Sequence, residues 1–124
     1  MENIWNLYGS VTTNTDGNGH GTHCAGTIGG VNTGVSPCAN IYGMKILSDA
    51  GSGSTSGIMA ALNEVQSRHE AKGAGAKSVV SMSLGGACTG KCSRDPLVAK
   101  VNALAAAGIV SAVAAGNDNA DASR

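Results

Sequence analysis

Apolar positions along the chain alternate between a continuous pattern and a helical one. Ile41-Tyr42-Gly43-Met44-Lys45-Ile46-Leu47 is a mostly apolar, β-leaning run, the signature of a buried parallel strand. Residues 48–53 carry two glycines and read as a turn. The period then changes. Ile58, Ala61, Leu62 and Val65 fall at i, i+3, i+4 and i+7, one apolar stripe of a helix over residues 55–69. Glu64 and Arg68 form an i,i+4 pair on its other side. Gly73 and Gly75 end that helix, and Lys77-Ser78-Val79-Val80-Ser81-Met82-Ser83-Leu84 reads as a second strand, stopped by Gly85-Gly86. Asp95 is placed as an N-cap and Pro96 at the first position of the next helix. Leu97, Val101, Leu104 and Ala105 line its expected buried face, and Gly108 fits the C′ position. Ile109-Val110-Ser111-Ala112-Val113-Ala114-Ala115 is the third clear strand, broken at Gly116-Asn117. Upstream, residues 1–15 are polar and irregular, with an edge strand expected at residues 4–8. A short helix is expected over residues 20–29, and a loop over 31–40. Strands alternating with helices of this length imply right-handed crossovers and a parallel sheet with helices on both faces. The fold class is α/β.

Composition narrows the picture. A chain of 124 residues is one domain at most, or a piece of one. Hydrophobic residues reach 42%, enough for a core, yet aromatics are 2% and 19 residues are glycine, so the packing must bring backbones close together. Eight basic and eight acidic residues cancel, and no run of either sign offers a surface to nucleic acid or an anionic membrane. No apolar stretch is long enough to span a bilayer. The opening Met1-Glu2-Asn3-Ile4-Trp5 has neither the basic nor the apolar region of a signal peptide, so none is expected here. Four cysteines allow three paired connectivities. Cys88 and Cys92 flank a Thr-Gly-Lys loop that a local disulfide could close, and Cys24 is expected as a buried free thiol.

The candidate chemistry gathers at glycine-rich breaks. In Asp16-Gly17-Asn18-Gly19-His20-Gly21-Thr22-His23-Cys24-Ala25-Gly26-Thr27 every other residue from Gly17 to Gly21 is glycine, and His20 stands at the start of the expected helix. A histidine presented from a loop but anchored to a helix suits a general base. Taken alone, the stretch reads equally well as a glycine-rich turn with an incidental histidine. In a parallel sheet, ligands gather beyond the carboxyl ends of the strands. Three breaks lie there, at residues 48–53, 83–86 and 115–119, each of small or glycine residues that leave backbone exposed. Exposed extended backbone suits a peptide that adds as a strand.

These stretches resemble the subtilisin-like serine proteases. His20-Gly21-Thr22-His23-Cys24-Ala25-Gly26-Thr27 is similar to that family's histidine motif, and the cysteine with its Asp16-Gly17-Asn18-Gly19 lead-in to the proteinase K branch. Ser81-Met82-Ser83-Leu84-Gly85-Gly86 resembles the substrate-cradling strand, and Val113-Ala114-Ala115-Gly116-Asn117 the oxyanion-hole motif. The resemblance implies a serine endopeptidase with a Ser-His-Asp triad and protein or peptide substrates. His20 would be the general base, and Asn117 would donate its amide to the oxyanion. Gly51, Ser83, Leu84 and Gly85 would flank the substrate. Ala114, Ala115 and Gly116 would line the pocket for the residue before the cleaved bond, with room for a bulky apolar side chain. His23 is expected to pack inside the fold. The resemblance further implies secretion to an extracellular setting, a monomer in the full-length form, and calcium there without naming its ligands.

The departures are as informative. No Asp-[Ser/Thr]-Gly motif occurs in residues 1–19, and Asp16 lies too close to His20 in sequence for the triad aspartate. No Gly-Thr-Ser-Met-Ala motif follows Asn117. Residues 1–124 are therefore expected to be the central part of a catalytic domain, truncated at both ends and inactive alone. Rival readings are a non-catalytic binding domain of the same family, a zinc site at His20, His23 and Cys24, and a nucleotide-binding loop. The last lacks Gly-Lys-[Ser/Thr].

Overall fold

The computed structural model describes residues 2–6, 15–86 and 92–121 of the chain. It forms two compact units, Met1–Ala61 and Leu62–Arg124.

In the first unit, strand β1 (Glu2–Asn6) lies parallel to β2 (Tyr42–Lys45). The register pairs Glu2 with Tyr42 and Asn6 with Lys45, with an irregularity between Asn3 and Trp5. The first strand was expected two residues later, at residues 4–8, and positions 7 and 8 lie outside the described residues. Helix α1 (His20–Gly29) has the expected bounds. Its first N–H groups need a cap that Gly19 cannot supply, because the N-cap residue has no side chain. Helix α1 ends at Gly30, whose N–H donates to the Gly26 carbonyl at 2.9 Å. Loop 31–40 then folds back on it. Thr33 Oγ1 donates to the Gly26 carbonyl, Val35 N to that of Thr27 and Ser36 N to that of Ile28. Strand β2 is shorter than the apolar run that signals it, and Tyr42 is 45% exposed rather than buried. Among the described residues its one partner strand is β1, with which the pairing ends at Asn6 and Lys45. A tight turn follows, closed by an antiparallel bridge between Leu47 and Gly53 and by a Ser48 N–H to Ser52 carbonyl bond of 2.8 Å.

Helix α2 (Thr55–Ala71) begins in the first unit and ends in the second. Ala61 and Leu62 of its apolar stripe are buried, and Glu64 and Arg68 meet at 2.7 Å, as the spacing implies. In the second unit β3 (Ser78–Met82) lies parallel to β4 (Ile109–Val113), residue for residue from Ser78 opposite Ile109 to Met82 opposite Val113. A short 3-10 turn, Cys92–Arg94, leads into α3 (Pro96–Ala106). The Asp95 carboxylate accepts from the Leu97 N–H at 2.8 Å, and Pro96 opens the helix where its missing N–H costs nothing. Gly108 takes the left-handed C′ conformation at φ +85°, its N–H donating to the Ala105 carbonyl. Helix α3 packs on β4, and Leu104 and Ile109 are fully buried. Ala105 was expected beside Leu104 on the buried face but is exposed, being about 100° around the helix from it. Val79 and Val110 stand side by side in register on the opposite sheet face, 70% and 63% exposed. Parallel strands with helical connections make the class α/β.

Candidate active site

The His20 loop is built around one carboxylate. Asp16 Oδ1 accepts from the Asn18 N–H at 3.1 Å and the Gly19 N–H at 2.8 Å. Its Oδ2 accepts from the Thr22 N–H and the Thr22 hydroxyl, each at 2.8 Å. The Thr22 N–H is the third of α1, a donor that an N-cap side chain would ordinarily satisfy, so Asp16 caps the helix from three residues before its boundary. The Gly19 N–H, then the Thr22 N–H and hydroxyl, with the Asn18 N–H, favour the ionised form and hold this carboxyl well below the usual carboxylate range; partial desolvation opposes them weakly. Gly19 sits at φ +91°, a left-handed turn that glycine makes without strain.

A second set of contacts ties this loop to the turn holding Gly51. Asn18 Nδ2 donates to the Asp49 carbonyl at 2.9 Å, and Lys45 Nζ pairs with Asp49 Oδ1 at 2.6 Å. A Cβ on Gly17 would overlap the Asp49 carboxylate, which would have to swing aside to admit it. Gly51, at φ +81°, would place a Cβ 3.8 Å from Asn18 Nδ2. Within the first unit, then, His20 and Gly51 are carried on two loops joined by the Asn18–Asp49 hydrogen bond.

His20 itself is exposed at the first position of α1. Its N–H donates to Asn18 Oδ1 at 3.3 Å, and its Nε2 lies 3.9 Å from the Cys24 sulfur one turn on. Cys24 is a free, half-buried thiol. His23 is exposed, not packed inside, because α1 has no fully buried residue.

In the second unit the other candidates leave neighbouring strands at the same end. Ser83, Leu84 and Gly85 follow β3, while Ala114, Ala115, Gly116 and Asn117 follow β4. One more ladder bond, Ala114 N–H to the Met82 carbonyl at 3.1 Å, carries the pairing past the last register pair. Both strands were expected to run to residues 84 and 115, and each stops short, so these positions have irregular backbone. Gly116 at φ +98° and Asn119 at φ +50° turn the chain after β4. Residues 114–117 are exposed. Small residues and open backbone at the carboxyl end of two parallel strands leave room for a peptide to lie alongside.

The profile of the Subtilase family matches residues 1–124. The chain belongs to the subtilase family. It is 46% identical over 109 residues to a cuticle-degrading protease of Metarhizium anisopliae, covering 88% of this chain and 27% of that protein. It is 49% identical over 109 residues to subtilisin-like protease 3 of Arthroderma otae, covering 88% and 26%. An alkaline serine protease of Corniculantispora psalliotae is 44% identical over 112 residues, covering 90% and 28%. This subtilase chain thus spans about a quarter of the length of these relatives. Among solved structures, a cold adapted subtilisin-like serine proteinase superposes with a TM-score of 0.79 at 37% identity, over 98% of this chain and 41% of that one.

Among the described residues no group of three or more His, Cys, Asp or Glu could hold a metal ion, so the donor set proposed for zinc at His20, His23 and Cys24 does not form. Cys92 is disulfide-bonded, whereas Cys24 and Cys38 are free; Cys88 lies outside the described residues. Sequence reasoning passed over Asp16 and Asn18 as contributors to the site. Their signal was present: an Asx residue spaced by glycines ahead of a helix start is a capping and turn pattern.

Proposed function

We propose that the chain is the central part of the catalytic domain of a subtilisin-like serine endopeptidase that cleaves protein substrates outside the cell. The observation that carries this reading is that the histidine motif opens α1 while the Asn117 motif leaves the carboxyl end of β4 beside the loop at residues 83–85. In this scheme a serine hydroxyl contributed by the rest of the polypeptide attacks the scissile carbonyl. His20 takes its proton and returns it to the leaving amine, while an aspartate, also from the rest of the polypeptide, orients the imidazole. The Asn117 side-chain amide donates to the oxyanion of the tetrahedral intermediate. Gly51, Ser83, Leu84 and Gly85 offer backbone to the substrate strand. Ala114, Ala115 and Gly116 leave space for a bulky side chain before the cleaved bond. The enzyme acts as a monomer. An extracellular setting agrees with a relative named for degrading cuticle, and no helix among the described residues is long and apolar enough to cross a membrane.

The test is turnover of a chromogenic peptide by two preparations. The complete polypeptide is expected to hydrolyse it and the 124 residues alone to do so negligibly, since neither the serine nor the aspartate motif is among them. A complete polypeptide that binds peptide without cleaving it would establish a non-catalytic binding domain instead.

A further inference from the structure

The carboxylate of Asp16 has no assigned part in the scheme above, yet it is the most heavily hydrogen-bonded side chain of the His20 loop. Its two oxygens hold opposite flanks of the histidine. Oδ1 takes the N–H groups of Asn18 and Gly19, immediately before His20, and Oδ2 takes the N–H and hydroxyl of Thr22, two residues after it. The His20 backbone is therefore suspended between the two oxygens of one group. Only an ionised carboxylate offers acceptors alone on both oxygens, and hydrogen bonds to it are shorter and stronger than neutral ones. Asn18 extends the clamp. It accepts the His20 N–H with its Oδ1 and donates from Nδ2 to the Asp49 carbonyl, beside the Gly51 turn.

We infer that Asp16 is a positioning residue for His20: it fixes the backbone from which the imidazole reaches the reacting serine and is not itself a proton carrier. This rests on the reading of His20 as general base. A base held in the wrong place still binds substrate normally but transfers its proton poorly, and a displacement of about 1 Å can cost about 10²-fold in rate. The expected signature is a fall in kcat with KM unchanged. Depression of the Asp16 pKa by the same donors agrees with a group that is ionised wherever the enzyme works.

The experiment uses the complete polypeptide, with kcat taken per titrated active site so that unfolded protein does not count. Asp16→Ala is expected to lower kcat by about 10- to 100-fold at unchanged KM. Asp16→Asn falls between, because an amide has one accepting oxygen where the loop needs two. Thr22→Val, which removes one hydroxyl donor, lowers kcat by a smaller factor, and Thr22→Ser restores it. His20→Ala is the reference. If it leaves turnover intact, the general-base reading fails, whatever Asp16 does. If His20→Ala abolishes turnover while Asp16→Ala and Asp16→Asn keep wild-type kcat, the positioning role is overturned and the base reading stands. Should Asp16→Ala fail to fold, the Thr22 pair decides: equal kcat for Thr22→Val and Thr22→Ser overturns the inference.

Discussion

The His20 loop and the Asn117 loop are supported in opposite ways. The first is built from its own side chains: Asp16 clamps four donors, Asn18 reaches the Asp49 carbonyl, and Lys45 holds the Asp49 carboxylate. The second is carried on backbone and on what lies beneath it. Its strand, β4, pairs with β3 and packs under α3 through Leu104 and Ile109, and the loop leaves with one further ladder bond at Ala114. A base must present one atom in one direction, and local hydrogen bonds can specify that. An oxyanion donor and an extended substrate edge need the end of a strand to be in place, and that depends on packing over a longer reach of chain. The contrast teaches that the two regions should fail differently.

The largest expected effect is at the base. His20→Ala in the complete polypeptide should lower kcat by about 10⁶-fold, a figure taken from subtilisin and not from this chain. Steady-state kinetics on a peptide substrate, with the far-ultraviolet spectrum unchanged, checks it. Next, Leu104→Ala removes a fully buried side chain and should cost about 2–5 kcal/mol of stability, read by denaturant unfolding. Amide exchange should quicken in β3, β4 and residues 114–117 while residues 19–23 keep their protection. Equal loss in both regions would erase the contrast. Asn117→Ala should lower kcat by about 10²–10³-fold with little change in stability, again the size known for a subtilisin. Circular dichroism melting separates that outcome from misfolding.

Much of this contrast was legible in the sequence, for unequal reasons. Helix α1 has the bounds expected from its motif, and α3 was marked at both ends by Asp95, Pro96 and Gly108, residues whose capping chemistry is local. The stripe through Ala61 and Leu62 was equally local, since helical periodicity is set within a few turns. Strand ends were less legible. Residues 83–84 and 114–115 are apolar or small enough to continue a strand, but pairing stops where the partner strand does. Burial was the least legible. His23 and Tyr42 are exposed because exposure depends on neighbours distant in sequence, which no local pattern encodes. Asp16 was passed over for another reason: its capping pattern was in the sequence, but its partners are mostly backbone N–H groups, which every residue has.

The smallest expected effect is on acid stability. Ordinary carboxyls in the unfolded chain titrate near pH 4, and the folded value for Asp16 lies below that. A group depressed on folding contributes stability above its unfolded pKa and loses it as pH falls through the folded one. The Tm difference between wild type and Asp16→Ala should therefore hold constant from pH 7 to about pH 4 and narrow only on further acidification. A difference that closes by pH 5 would mean that the clamp does not favour the ionised form.

The claim at the centre is that His20 is the base of a peptidase, and a peptidyl chloromethyl ketone tests it directly. Such a reagent alkylates an imidazole held against a bound peptide. Peptide mapping by mass spectrometry of the inactivated complete polypeptide should find one equivalent of label on His20, with Cys24 and His23 unlabelled. Full inactivation with His20 unmodified, or one equivalent on His20 with undiminished turnover, would contradict it.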